Sequence, residues 1–184
     1  MICVTDNISL QPLELKDQAD LHALMQRIYP PAYAHYWEDQ GAWYVNTVYG
    51  YENLKKELED PGSKYYYVLH PQENLKVDQV VGIFKIIDDY SYPPLPSYKA
   101  FKVHRIYLDP TTQGKGIGKA LMKYATNLAQ ESKHELIWLD AMDTHTQAQA
   151  FYASLGYEKT EVQHLDFELL HPEHRPMWYM HRFL

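Results

Sequence analysis

Three of the chain's eight glycines, Gly114, Gly116 and Gly118, fall together in the stretch LDPTTQGKGIGKAL. Glycines at this spacing let a backbone curl so that several N–H groups point inward, and the helix pattern that follows adds its positive N-terminal end. With Lys115 and Lys119 contributing charge, Gln113 to Lys119 reads as a cradle for a phosphate-bearing anion. Two familiar phosphate loops do not fit. A P-loop needs Ser or Thr after its Gly-Lys, where Ala120 stands, and an earlier glycine where Gln113 stands. The dinucleotide fingerprint G-x-G-x-x-G is here G-x-G-x-G. The plainer reading is a loop whose glycines only relieve crowding where a helix begins.

Other residues with chemical capacity are spread along the chain. His104 lies in a β-rich run, and an imidazole with a pKa near 6.5 suits taking a proton from an ammonium. Asp140, closing the run ELIWLD, is the other candidate base. Their plainer readings are a half-exposed strand histidine and an ordinary strand-end carboxylate. The segment Tyr29 to Tyr51 carries many aromatic rings with Glu38 and Asp39. Aromatic faces beside carboxylates suit a cation, which makes Tyr33, Trp37, Glu38 and Asp39 candidates for lining a substrate, against simple helix packing. His171, His174 and His181 do not have H-E-x-x-H spacing; HPEHRP reads as a turn and no metal is expected. Cys3 has no neighbouring base and is not expected to act as a nucleophile.

These residues need elements to position them. Asp17 to Tyr29 puts Leu21, Leu24, Met25 and Ile28 on one helical face, with Asp17 as N-cap and Pro30-Pro31 as the stop. Ile8 to Leu15 reads as an edge strand. Tyr33 to Tyr51 reads as loop and one helix, with a short helix around Leu54 and Leu58 after it. Lys64 to His70 and Gln79 to Asp88 are strands of a meander, and Ala100 to Asp109 is a strand closed by Pro110. The proline-rich stretch from Tyr90 to Tyr98 is loop.

Beyond the glycine cluster, Gly116 to Ser132 is a helix with Ile117, Ala120, Leu121, Tyr124, Ala125 and Leu128 inward. Glu135 to Met142 is a continuous apolar strand, as expected when both faces are covered. Thr144 and Gln147 read as a capping box opening a helix whose inner face is Ala148, Phe151, Tyr152 and Leu155, with Gly156 at C′. Strands near Thr160 to Leu169 and Met177 to Leu184 finish the chain. Alternating strands and helices in this half predict an α/β (α+β mixed) fold: a mostly antiparallel sheet with one parallel pair, flanked by helices.

The 184 residues fit one domain, 1–184. Seventeen Lys and Arg against 24 Asp and Glu give a formal charge of −7, which disfavours a general affinity for nucleic acid. No apolar run approaches the roughly 20 residues that span a bilayer, and MICVTDNISLQ lacks signal-peptide regions. One cysteine forms no internal disulfide, so a reducing, cytoplasmic setting is expected.

The glycine cluster in its context resembles the Q/R-x-x-G-x-G/A loop of the GNAT acetyltransferases, after a strand ending Ile106-Tyr107-Leu108. Ala148 to Tyr157, AQAFYASLGY, is similar to that family's A-x-x-x-Y-x-x-x-G-F helix and turn, and the element order agrees over nearly the whole chain. Where the family usually has Asn three residues before that Ala, this chain has His145, whose imidazole can still donate a hydrogen bond to the cofactor. HRIYLDPTTQGKGIGKAL and YENLKKELEDPGSKYYYV look most like the PaiA-like branch, which acetylates polyamines.

The resemblance implies a GNAT fold and acetyl-CoA as co-substrate, with no metal. It implies a pyrophosphate held by Gln113, Gly114, Lys115, Gly116, Ile117, Gly118 and Lys119, and a pantetheine arm paired with Ile106, Tyr107 and Leu108 as an added strand. The Leu108 N–H would face the thioester oxygen, and Tyr152 would act as general acid toward the leaving sulfur. A phenol is a weaker acid than a thiol by about 2 kcal/mol, so that role is nearer a strong hydrogen bond than a full transfer. The base stays open between His104, Asp140 and a water chain. The acceptor is a primary amine, spermidine or spermine in the narrower reading. Amino-acid or peptide N-terminal acetylation is the alternative, as is an acyl-CoA-binding regulatory module without turnover. A small-molecule amine is the expected partner and a homodimer the expected assembly, without nucleic acid or membrane.

Overall fold

The computed structural model describes residues 1–71 and 78–184. Their strands form one sheet in the order β1-β2-β3-β4-β5-β6-β8-β7. These are β1 Ile2–Thr5, β2 Ile8–Pro12, β3 Ser63–Pro71, β4 Asp78–Ile87, β5 Ala100–Leu108, β6 Leu136–Met142, β7 Glu158–His164 and β8 Pro176–Phe183. The α-helices are α1 Gln18–Ile28, α2 Pro30–Tyr33, α3 Ala42–Val48, α4 Tyr51–Glu59, α5 Ile117–Glu131 and α6 Thr146–Ser154. One neighbouring pair, β5 with β6, is parallel; the others are antiparallel.

The sheet is covered on both faces because its strands carry apolar side chains on both. On one face Phe84, Phe101, Val103, Ile137 and Leu139 pack with Ile117, Leu121, Met122 and Ala125 of α5. On the other, Tyr65, Tyr67 and Ile83 pack with Leu21, Met25 and Ile28 of α1, Val45 of α3 and Leu54 of α4. The helical periodicity of α1 and α5 is thus matched by burial.

Several boundaries differ from those read off the sequence. The strand expected over Ile8 to Leu15 ends at Pro12 and is not an edge; β1 covers it. Pro30 does not stop the helical course, because Tyr29 stays helical (φ −75°, ψ −50°) and Pro30 opens α2, where a missing N–H costs nothing. Asp17 precedes α1 but its carboxylate accepts from the Glu14 N–H at 2.9 Å, not from the helix. The Thr144–Gln147 capping box does not form; His145 is the N-cap of α6. The strand expected over Thr160 to Leu169 runs from Glu158 to His164, after which Leu165, Phe167 and Leu170 cross to the α1–α4 side. Apolar side chains that leave a sheet for a second core read, in sequence, like a continued strand.

Aromatic burial makes this fold sensitive to alkali. Burial above all raises the phenols of Tyr33, Tyr65, Tyr67 and Tyr157 above the ordinary range; neighbouring groups add to this at Tyr33 and Tyr67, while Arg105 and Arg182 pull against it at Tyr65 and Tyr157. A raised folded-state pKa stabilises below the unfolded value of about 10 and is lost as pH climbs toward the folded one. Urea midpoints are therefore expected to hold to about pH 10 and then fall steeply, with the buried-tyrosinate absorbance appearing only as the protein unfolds. Buried tyrosinate signal from folded protein at pH 10 would contradict this.

Candidate active site

β5 and β6 pair only through Ala100↔Leu136, Phe101↔Ile137 and Lys102↔Trp138. Beyond that point β5 stays with β4 as far as Leu108, while β6 stays with β8 as far as Met142. The two strands part, and a cleft of about 380 Å³ opens between them. A bulge sharpens the opening: Lys85 faces Arg105 but Ile86 faces Val103, leaving His104 as the extra residue. His104 and Arg105, consecutive in the chain, both line the cleft.

The parting also frees backbone. Asp109 N–H donates to Val81 O at 2.7 Å, so antiparallel alternation turns the N–H groups of Ile106 and Leu108 away from β4. An extended chain laid along this edge would find donors and acceptors waiting. Ile106 and Tyr107 belong to the cleft lining, and Leu108 lies just beyond it.

The glycine loop follows directly. Asp109 anchors it: one carboxylate oxygen accepts from the N–H and hydroxyl of Thr111 (3.0 and 2.7 Å), and the other pairs with Arg27. Ile117 is buried and pins the start of α5. Between these anchors Gly114 (φ +81°) and Gly116 (φ +76°) adopt left-handed backbone, and a Cβ at either would meet nothing within 4 Å. The loop is therefore held from below and open above. Gln113 and Lys115 are exposed there, as is Lys119 in the first turn of α5. This is the geometry of an anion cradle, and a phosphate-bearing ligand fits it.

α6 ties the loop to the cleft. The Phe151 ring lies 3.5 Å from where a Gly118 Cβ would stand, and the adjacent Tyr152 lines the cleft. Burial pushes the Tyr152 phenol up to about 12, so it stays protonated near neutral pH and keeps an O–H to donate. At the N-terminus of α6, His145 Nδ1 accepts from the Ala148 N–H at 3.3 Å. Burial lowers its pKa, so the ring is neutral with its proton on Nε2, a donor at the cleft wall. An asparagine cap would use its side chain in the same way.

The two candidate bases lie in the cleft but neither is free to act simply. Burial, then Arg105, Lys85 and Lys102, push His104 far below its usual range, leaving a neutral ring that holds a proton poorly. Asp140 accepts from Gln163 Nε2 at 2.8 Å on one oxygen and pairs with Lys102 Nζ at 2.7 Å on the other.

Tyr33 and Trp37 form part of the cleft wall, whereas Glu38 and Asp39 do not. Trp37 has extended backbone (φ −123°, ψ 141°) and bridges Leu170, so side chains alternate and Glu38 turns to solvent. Asp39 accepts from the Gly41 N–H at 3.0 Å at the approach to α3. The carboxylates expected beside the rings thus have other places. The histidines of the last segment do not converge either: His174 bonds Thr144, and His181 lies in β8 beside Tyr92. Cys3 is exposed on β1, an edge strand.

Residues not foreseen include Arg105 and Lys102 on the cleft floor and Phe167 in its walls, whereas Tyr29 and Tyr44 belong to the aromatic segment read as a candidate lining without being singled out in it. Nothing in the local sequence announces the bulge that aims Arg105. The clustering of 17 tyrosines was the available signal for the walls. Tyr29 stacks on Tyr44 at 4.8 Å between centroids, and the Tyr44 and Tyr107 hydroxyls meet at 3.2 Å.

Comparison with known proteins agrees with this geometry. The model of the acetyltransferase (GNAT) family matches residues 19–157. An uncharacterised N-acetyltransferase of Lactobacillus delbrueckii subsp. lactis is 30% identical over 120 residues, which is 65% of each chain. One of Methanocaldococcus jannaschii is 34% identical over 61 residues, or 33% of this chain and 27% of that one. The chain thus spans just under two thirds and about a quarter of these curated relatives. Among solved structures, the PaiA N-acetyltransferase of Thermoplasma acidophilum with coenzyme A superposes with a TM-score of 0.68 at 16% identity, over 96% of this chain and 99% of that one. The spermidine N-acetyltransferase of Vibrio cholerae with CoA and spermine gives 0.67 at 16% identity, over 97% and 96%.

Proposed function

The chain belongs to the GNAT acetyltransferase family, and we propose that it moves an acetyl group from acetyl-CoA to the nitrogen of a primary amine held in the β5–β6 cleft. The observation that carries this reading is the adjacency of an open glycine cradle, a freed strand edge and the Tyr152 hydroxyl at one splay in the sheet. Acetyl-CoA, when bound, supplies an activated acyl carbon and a thiolate leaving group.

The protein's own part follows from its groups. The loop Gln113 to Lys119 holds the pyrophosphate, and Ile106 to Leu108 pair with the pantetheine arm. An N–H of β5 stabilises the developing oxyanion; Leu108 offers one donor and Ile106, inside the cleft, another. Tyr152 donates a hydrogen bond to the departing sulfur. His104, kept neutral, and Asp140, already paired, are placed to orient a water chain that passes the ammonium proton out to solvent rather than to take it outright. His145 Nε2–H donates to the co-substrate.

The formal charge of −7 and the aromatic walls would lend attraction to a polyamine acceptor. The PaiA and spermidine acetyltransferases among the fold neighbours point the same way. The cleft does not carry that reading, because Glu38 and Asp39 stand outside it and Asp140, the carboxylate among its described lining residues, is paired with Lys102. Steady-state CoA release from acetyl-CoA across di- and polyamines, amino acids and short peptides tests the proposal. Amine-dependent release supports transfer. Release with none of them, by protein that binds acetyl-CoA, would instead favour a regulatory module.

A further inference from the structure

Lys102, Arg105 and Asp140 line the cleft floor, and Lys85 and Glu57 lie behind Arg105; together this layer carries more positive than negative charge. Glu57 Oε2 alone receives both Lys85 Nζ at 2.9 Å and Arg105 Nη1 at 2.7 Å, while Asp140 pairs with Lys102. These five side chains are 3% to 13% exposed, so bulk water does little to neutralise them. Three cations stand against two carboxylates in a buried layer, a balance that disfavours a further cation and favours an anion. Tyr44, Tyr49 and Tyr65 around Arg105 offer phenol dipoles, which solvate the guanidinium but do not cancel its charge.

A second observation points to the same place. His104 Nδ1, beside Arg105, is buried with no hydrogen-bond partner. Orphaned polar atoms of this kind are costly, and as an N–H it would be a donor for an incoming oxygen. Arg105 and His104 both line the cleft, next to the freed Ile106 amide. Above them the walls are Tyr33, Trp37 and Phe167, apolar faces with no unpaired carboxylate among the described lining residues.

We propose that the acceptor carries a carboxylate as well as its amine: an amino acid with an apolar or aromatic side chain, its carboxylate at His104 and Arg105 and its side chain against the aromatic walls. This rests on the acetyl-transfer reading and narrows its substrate class. A zwitterion of this kind supplies the missing negative charge, and brings no net charge to an acidic protein. A polyamine would add cations above an already cationic floor.

The test is a matched panel under saturating acetyl-CoA: L-phenylalanine against 2-phenylethylamine, L-leucine against 3-methylbutylamine, and spermidine. The carboxylate-bearing member of each pair is expected to have the higher kcat/KM by about 10–100-fold, the span of one or two charge-assisted hydrogen bonds. In Arg105→Met, which keeps the Lys85–Glu57 pair, that ratio is expected to fall toward one. An amine lacking the carboxylate, or spermidine, performing equally well or better in the wild type would overturn the proposal. Equilibrium binding of the same pairs, read by tryptophan fluorescence, separates the two claims. Tighter binding of the amino acids without any turnover keeps the anion site and discards acetyl transfer. Equal binding within each pair discards the site, whether or not acetyl transfer occurs.

Discussion

Tyr152→Phe is expected to lower kcat by about 10²-fold while leaving acetyl-CoA affinity within about threefold. The substitution keeps a ring where Phe151 and Tyr157 pack, at centroid distances of 5.2 and 6.2 Å, so the fold should not change. What it removes is the donor toward the leaving sulfur. With its pKa pushed up to about 12, the phenol is far weaker as an acid than a thiol at about 8.5, so its contribution is a hydrogen bond that strengthens as charge gathers on sulfur. Single-turnover rates with a fixed amine measure this directly. Unchanged turnover would return Tyr152 to the role of a core side chain.

Gly116→Val is expected to weaken acetyl-CoA by roughly 10–100-fold in calorimetric titration. Left-handed backbone at φ +76° is costly for any residue with a Cβ, by about 1–2 kcal/mol, and more so for a β-branched one. The new side chain would also stand in the open space that a pyrophosphate needs. Gly114→Val, at the other left-handed and open position (φ +81°), is expected to behave alike. If both variants bind like the wild type, the loop is not the cradle.

The second half of the chain was readable because its signals are local. The glycine spacing, the α5 stripe and the apolar β6 run each depend on a few neighbouring residues, and together they imply the parallel β5–β6 pair. The opening of that pair was not readable. It depends on β4 and β8 pulling β5 and β6 apart after three residue pairs, and on a one-residue bulge at His104. Both arise from registers between distant segments. The same holds for the cleft walls, where His171 N–H reaches Tyr36 O and Glu38 N–H reaches Leu169 O, each at 2.9 Å across more than a hundred residues of chain. That pairing decides which of Trp37 and Glu38 faces inward, and composition alone suggested both. β1 was missed for a different reason: its four residues alternate between half-buried and exposed, too short a pattern to stand out.

Transfer itself is the central claim, and its most direct measurement follows the acetyl group. The protein is given acetyl-CoA labelled in the acetyl carbons together with an amine acceptor from the matched panel, and the products are resolved by mass spectrometry. The account predicts one labelled N-acetyl product for each CoA released, no lasting label on Cys3 or any other residue, and a rate cut about 10²-fold in Tyr152→Phe. Acetyl-CoA that binds at the loop but is never consumed, or label that ends on the protein and not on the amine, would contradict it.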